Sequence, residues 1–387
     1  MSAGATGEDG RAERLAAELR RRDVDALLVT APVNVRYLTG FTGSNGLALV
    51  FAADPGSEPG DTDDGASPRG RFLTDFRYRT QSAEQVARAF SREIVVGNLL
   101  DAAAGALAGS RGRGVGGGTL GFDDSQLTVA AHARLREALP GDWKLARCAG
   151  VVEDLRAVKD EREVERMRAA AQLADEALRG VLEAGVVGRS EREVAIELEL
   201  RMRRLGAEAA SFPSIVAAGP HGALPHAEPR EEPIARDVLL TIDWGAVHDG
   251  YCSDCTRTYA TGEGVSSRAK EVYELVLAAQ QAGVAAVAAG PTGREVDAVA
   301  RAVIERAGEG ERFGHGLGHG VGMEVHEEPR LSRTEAERAL LAGNVVTVEP
   351  GVYLPGELGV RIEDLLVVRD GGHEVLNGLD KTLTVVS

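Results

Sequence analysis

The chain has 387 residues, 43% of them hydrophobic and 27% charged, and 60 Asp and Glu against 44 Lys and Arg give a formal net charge of −16. That acidity excludes nucleic acid and anionic membranes as expected partners, because both are bound through basic patches. The length exceeds what a single core usually serves, so two domains are expected, and an odd number of cysteines, three, argues against a disulfide framework.

The opening stretch MSAGATGEDGRAERL lacks the apolar core of a secretory leader, and no run of 18 apolar residues occurs anywhere, so a cytoplasmic protein without a membrane partner is expected. The first eleven residues, small and polar, are expected to be disordered, with order beginning in a helix at AERLAAELRRRD. DALLVT and NGLALVF then read as strands separated by APVNVRYLTGFTGS. The low-complexity run PGSEPGDTDDGASPRG predicts a mobile loop. Strand and helix alternate through REIVVG and LGFDD to about Ala149, which predicts a small α/β domain. Helical sequence follows in EDLRAVKDEREVERMRAAAQLADEALRGVLEAG, broken near Lys159-Asp160, and in SEREVAIELELRMRRLG. The domain boundary is therefore placed near 150–160, dividing 1–155 from 156–387. From Ser211 onward strands dominate, interrupted by helical patterns at SSRAKEVYELVLAAQQAGVAAVAAG, TGREVDAVARAVIERAG and a short TEAERALLAG. Helix, hairpin, helix, hairpin predicts two related halves, one holding aspartates and the other glutamates.

Two hairpins and one strand carry the chemistry. In VLLTIDWGAVHDGYCSDCTRTYA, a turn centred between His248 and Asp249 and followed by Gly250 is predicted to set Asp243 opposite Asp254. In VVTVEPGVYLPGELGVRIEDLLVV, a turn from Leu354 to Leu358 sets Glu349 opposite Glu363. Cross-strand Cβ atoms lie roughly 4.5–5.5 Å apart, where like charges repel unless a cation sits between them. The flanking Val, Leu and Ile residues read as buried strands, in which acids need partners. In FGHGLGHGVG, glycines alternate with His315, Leu317, His319 and Val321, a period of two that predicts a strand with one bare face. Each glycine would cost about 1 kcal/mol in a helix, which argues against a helical zinc motif from the two histidines. Cys252 and Cys255 bracket Asp254 without a second pair and read as structural. Asp243, Asp254, His319, Glu349 and Glu363 together make a candidate two-metal hydrolase centre.

These segments, with LRAVKDEREVERMRAAA and SFPSIVAAGPHGALPHAEP, resemble in order the pita-bread (M24) metallopeptidases. That family includes aminopeptidase P, prolidase, methionine aminopeptidase and creatinase. The segments NVRYLTGFTGSNG and RFLTDFRYRTQ resemble the creatinase-type N-terminal domain of its proline-directed members. The resemblance implies an α+β pita-bread catalytic domain of two pseudo-two-fold halves behind the α/β domain, and hydrolysis of Xaa-Pro bonds in short proline-containing peptides. It implies two divalent ions, Mn²⁺ being favoured over Co²⁺, Zn²⁺ or Fe²⁺ by an oxygen-rich set with one imidazole. Asp243 and Asp254 would hold one ion and His319 and Glu349 the other, with Asp254 and Glu363 bridging. Glu349 would also act as the base, His226 would stand near the scissile bond, and His326 would steady the tetrahedral intermediate or the leaving group. His315 is placed behind the ligands, Arg361 beside the acids, and Arg330 where some prolidases hold a dipeptide carboxylate. Relatives form homodimers, so Asn34, Arg36 and Tyr37 would touch substrate across the subunit boundary. The alternatives are a creatinase-like C–N hydrolase and a metal-free peptide-binding protein of the same fold.

Overall fold

Met1–Arg156 and Ala157–Ser387 form separate units in the computed structural model, which describes residues 8–52, 68–108, 117–335 and 337–387. The first unit runs α1 (Glu8–Arg21), β1 (Ala26–Val29), α2 (Pro32–Thr39), β2 (Gly46–Phe51), β3 (Gly70–Thr74), α3 (Arg79–Gln85), β4 (Phe90–Ile94), α4 (Leu99–Gly105), β5 (Gly118–Phe122), α5 (Val129–Ala138), β6 (Trp143–Arg147) and α6 (Val151–Ala157). Its strands make one six-stranded sheet in the order β4-β3-β2-β1-β5-β6, antiparallel at β1/β2 and β2/β3 and parallel elsewhere. The first helix begins at Glu8, inside the stretch expected to be disordered; residues 1–7 and 53–67 lie outside the described residues, the latter taking in most of the mobile loop expected over 55–70. Between β1 and β2 stands a helix with the usual punctuation, Pro32 in the first turn and Gly40 (φ 78) closing the last turn onto Arg36 O. Asn34 and Tyr37 on it are buried within the unit, where Asn34 meets Glu153 and Arg156 and Tyr37 OH reaches Leu155 O. Arg36 is the more accessible of the three.

The second unit opens with α7 (Glu161–Glu183) and α8 (Glu191–Arg204), each started by a full capping box, Asp160 with Glu163 and Ser190 with Glu193. Strands β7 (Ala209–Ala210), β8 (Ile215–Ala218), β9 (Leu239–Trp244), β10 (Ala246–His248), β11 (Tyr251–Cys252) and β12 (Cys255–Ala260) follow. After α9 (Ser267–Ala286) and α10 (Gly293–Arg306) come β13 (Gly318–Gly320), β14 (Glu327–Leu331), β15 (Val345–Val348), β16 (Gly351–Leu354), β17 (Leu358–Arg361), β18 (Asp364–Arg369) and β19 (Gly372–Val375). Two halves result. Helices α7 and α8 bury Leu178, Val181 and Leu198 against Ile242 and Trp244 of the sheet β12-β9-β8. Helices α9 and α10 bury Val276 and Ile304 against Val346, Val348 and Leu366 of the sheet β14-β13-β15-β18-β19. Fully burying one such side chain contributes about 1.5–3 kcal/mol, so these two cores hold the strands that carry the acids.

TEAERALLAG is not a helix among its described residues. Ala339 instead bridges Thr292, and Leu340 donates its N–H to Pro291 O while burying its side chain, so tertiary pairing overrides a helix-forming composition.

Candidate metal centre

The glutamate hairpin has the predicted register. Val348 pairs with Asp364 on one side and Gly351 with Arg361 on the other, so Glu349 and Glu363 face each other where the two ladders meet. The aspartate hairpin does not. Its turn is Asp249-Gly250, both at positive φ (48 and 78), which is the primed two-residue geometry that matches strand twist. Asp243 is therefore opposite Thr256, two residues beyond the expected Asp254. Because side chains alternate with period two, a shift of two preserves the face, and Asp254 becomes a diagonal neighbour of Asp243 instead of a direct one. Asp254 itself sits at the break between β11 and β12, across from Gly245, where an added Cβ would lie 2.0 Å from Ser253 O.

The glycine-lined segment forms a strand only at Gly318–Gly320, with bends at His315, Leu317 and Gly322 in the rest of the expected run. An added Cβ at Gly318 would lie 2.0 Å from Thr347 O, and one at Gly320 would lie 2.3 Å from Glu328 O. The bare face is thus covered by neighbouring backbone, which presses His319 toward the acids. One ligand atom from each of Asp254, His319 and Glu363 falls within 4.8 Å of the others. His319 Nε2 lies 3.2 Å from Glu349 Oε1 and 3.6 Å from Asp254 Oδ2. Its Nδ1 lies 3.1 Å from Gly320 O, which can only accept, so Nδ1 carries a proton and Nε2, facing the carboxylates, is the nitrogen a metal would take.

Electrostatically the cluster is frustrated. Burial, then Glu363, Asp243 and Glu349, push the Asp254 carboxyl well above the ordinary range, and burial with Glu349 and Asp243 does the same to Glu363. Burial also raises Asp243, against the pull of Arg361. Glu349 goes the other way: burial opposes its charge, but the His319 hydrogen bond and charge hold it below the usual carboxylate range. His319 is raised by the same contact in spite of its burial. Asp243 Oδ1 and Glu363 Oε1 are buried without a hydrogen-bond partner. Buried orphan oxygens among mutually raised acids fit a bound cation, and hard carboxylate oxygens with one imidazole are the donors a divalent ion prefers.

Around the acids, Arg361 donates from Nη2 to Asp243 Oδ2 (2.7 Å), from Nε to Thr256 Oγ1 (3.1 Å) and from Nη1 to Tyr353 OH (2.9 Å). Thr256 Oγ1 in turn donates to Glu363 Oε2 at 2.7 Å. Tyr353 OH lies 3.0 Å from His315 Nε2, and His315 Nδ1 lies 2.8 Å from Gly316 O, so the imidazole carries its proton on Nδ1 and accepts from the phenol. Burial depresses His315 and keeps it neutral. Thr256 and Tyr353 escaped the sequence reading. The signal for Thr256 was its place on the inward face of β12; Tyr353 carried none beyond its closeness to Glu349 in EPGVY.

The cluster lies at the base of a cavity of about 640 Å³, whose lining brings together His226, His315, His326, Arg330 and Arg361 with the acids. His326 packs edge-on against the His319 ring at 4.3 Å, and burial and that neighbour lower its basicity. His226 is exposed, directly after Pro225, whose carbonyl accepts from Arg361 Nη1 at 3.2 Å. Arg330 is more than half exposed, its Nε 3.8 Å from Glu328 Oε1. Cys148, Cys252 and Cys255 are buried free thiols, and Cys255 Sγ lies 3.7 Å from Glu363 O. No helix among the described residues is long and apolar enough to cross a membrane.

Two family models match this chain: metallopeptidase family M24 over residues 165–370, and the creatinase/prolidase N-terminal domain over residues 11–158. The chain is 32% identical over 373 residues to the Xaa-Pro dipeptidase of Pyrococcus furiosus, covering 96% of this chain and 99% of that one. Among solved structures it is similar to an Xaa-Pro dipeptidase from Bacillus anthracis, with TM-score 0.88 and 38% identity over 98% of this chain and 100% of that one. It is also similar to an X-Pro aminopeptidase from Thermotoga maritima, with TM-score 0.84 and 33% identity over 97% of this chain and 100% of that one.

Proposed function

Since the chain belongs to metallopeptidase family M24, we propose that it hydrolyses the Xaa-Pro bond of short peptides with two divalent ions, Mn²⁺ by preference. The observation that carries this reading is the cluster of buried Asp254 and Glu363 with the partly buried His319, beside the orphan oxygens of Asp243 and Glu363. Asp243 and Asp254 would hold one ion, His319 and Glu349 the other, and Asp254 and Glu363 would bridge. When bound, the ions supply Lewis acidity to the scissile carbonyl and make water a nucleophile near neutral pH.

The remaining work falls to side chains. Glu349 takes the proton of the attacking water and passes it to the departing proline nitrogen, which as part of a tertiary amide has no proton of its own. His226 and His326, on the cavity wall, stand as donors to the carbonyl oxygen as it gains charge. Arg361 holds Asp243 in the orientation that presents Oδ1 inward. Arg330, charged and exposed in the cavity lining, is suited to the free carboxylate of a dipeptide.

The test is Mn²⁺-dependent hydrolysis of a matched Xaa-Pro dipeptide and Xaa-Pro-Yaa tripeptide, with an Xaa-Ala peptide as control. Cleavage of the dipeptide alone assigns a prolidase-type enzyme and Arg330 its carboxylate clamp. Cleavage of the tripeptide assigns aminopeptidase P activity, and cleavage of neither sinks the substrate assignment. Three buried free thiols support a reducing compartment, the cytoplasm. The family resemblance supports a homodimer, and light scattering on the eluting protein checks it.

A further inference from the structure

The ligand His319 is approached by main chain that lies outside any ladder, since β13 begins only at Gly318, whereas Glu349 directly follows the paired strand β15. Buried peptide groups in such a stretch need partners from elsewhere. Two side chains of α10 supply them. Arg301 donates from Nη1 to Phe313 O at 2.9 Å and from Nη2 to His315 O at 2.7 Å, while Asp297 Oδ1 accepts the N–H of Leu317 at 3.0 Å. One turn apart, the two are joined by a forked ion pair, Nε to Oδ2 at 2.7 Å and Nη2 to Oδ1 at 2.8 Å. Both are buried, and the guanidinium lies 4.0 Å from the centroid of the Phe313 ring. Leu317 then passes the restraint on, because its carbonyl accepts the N–H of Glu349 at 2.8 Å.

We propose that Asp297 and Arg301 are a positioning pair for the half of the metal centre built by His319 and Glu349. The pair takes three main-chain groups at alternate residues, 313, 315 and 317, as a neighbouring strand would, and so sets where the chain enters Gly318 and His319. A buried ion pair is weak as a stabilising device, since apolar residues of similar volume often replace one without loss. Its contacts to the main chain are what an apolar pair cannot reproduce. A lysine at 301 would keep the charge but could not fork onto Asp297 while reaching both carbonyls. The inference rests on the two-ion reading proposed above.

The experiment is a titration of the metal-free full-length protein with Mn²⁺, free ion being read by electron paramagnetic resonance, for the wild type, Arg301→Lys and the double variant Asp297→Leu/Arg301→Met. Thermal melts of the metal-free proteins run in parallel to establish folding. Expected is one Mn²⁺ equivalent bound as in the wild type and the other weakened roughly 10- to 100-fold, the range for residues that orient metal ligands. Folded variants that bind both equivalents with wild-type affinity overturn the proposal. So does equal weakening of both equivalents, which reports general loosening. Should the double variant not fold, Arg301→Lys decides by the same titration. A wild type that binds both ions and cleaves no Xaa-Pro peptide removes the substrate assignment and leaves the positioning pair standing, whereas a wild type that binds no Mn²⁺ overturns both.

Discussion

Gly318 and Gly314 occupy equivalent places in the alternating glycine run, yet substituting alanine should affect them oppositely. At Gly318 the new Cβ would lie 2.0 Å from Thr347 O and 2.7 Å from Thr347 C, about 1.4 Å short of the 3.4 Å at which such atoms ordinarily meet. The obstacle is backbone, so no rotamer change relieves it and β13 must move away from β15. Overpacking typically costs about 1–3 kcal/mol, and a backbone clash belongs at the upper end. For a unit of this size about 3 kcal/mol lowers the melting temperature by roughly 6–12 °C. His319 is the next residue, so a displacement of about 1 Å also carries a ligand and should reduce kcat roughly 100-fold. At Gly314 nothing lies within 4 Å of the added carbon and φ is not in the left-handed region. Gly314→Ala should therefore be neutral or stabilise by about 0.4–1 kcal/mol, through the unfolded chain. Calorimetry on chelator-treated protein separates this from metal linkage, and peptide hydrolysis with added Mn²⁺ gives the catalytic half. Equal melting temperatures and equal turnover for the two variants would refute the close approach of β13 and β15 as the reason for the glycines.

Three other outcomes follow from the same geometry. Arg361→Lys loses the fork that joins Asp243, Thr256 and Tyr353; kcat/KM should fall by roughly 10- to 100-fold, equivalent to about 1.5–3 kcal/mol for hydrogen bonds to charged groups, and a wild-type value would refute the role. His319→Ala should bind one Mn²⁺ equivalent fewer, checked by titration, with turnover lost and the circular dichroism spectrum unchanged; an active variant removes His319 from the ligands. Asp175 is buried with Oδ1 unpartnered, and burial raises its carboxyl in the folded state. The folded chain therefore holds that proton to higher pH than the unfolded chain, and stability is lost as pH rises above the ordinary carboxylate range. Asp175→Asn should accordingly gain on the wild type in urea denaturation as the pH rises from the ordinary carboxylate range toward neutrality; parallel curves would refute it.

The parts of this site that were legible in the sequence are those fixed by local pattern. A five-residue turn between two apolar runs determined the register that brings Glu349 against Glu363. The aspartate hairpin was misread by two residues although its Asp249-Gly250 dipeptide, both residues at positive φ, is the stronger turn signal. Period two forgave the error, since Asp254 stayed on the inward face. What was not legible is non-local. Thr256 meets Glu363 across 107 residues of sequence, and Arg361 meets Asp243 across 118. TEAERALLAG was misread because its helix-forming composition says nothing about Thr292 and Pro291, the partners that hold it extended.

The most useful signal was an unfavourable one. Acids on strands whose other residues are apolar cannot be stabilised by those strands, and placing two of them face to face makes matters worse. The structure carries that conflict through: Asp243, Asp254 and Glu363 are each raised first by burial and then by other acids of the cluster, with Arg361 the cation that opposes it at all three. One guanidinium cannot neutralise four carboxylates, and two of their buried oxygens have no hydrogen-bond donor. Stability alone would have replaced such residues, because a buried like-charge cluster is costly without a counter-ion. Their persistence, together with an imidazole whose Nε2 faces them, is therefore best explained by divalent ions that complete the site, and the chemistry those ions permit is the reason to keep it.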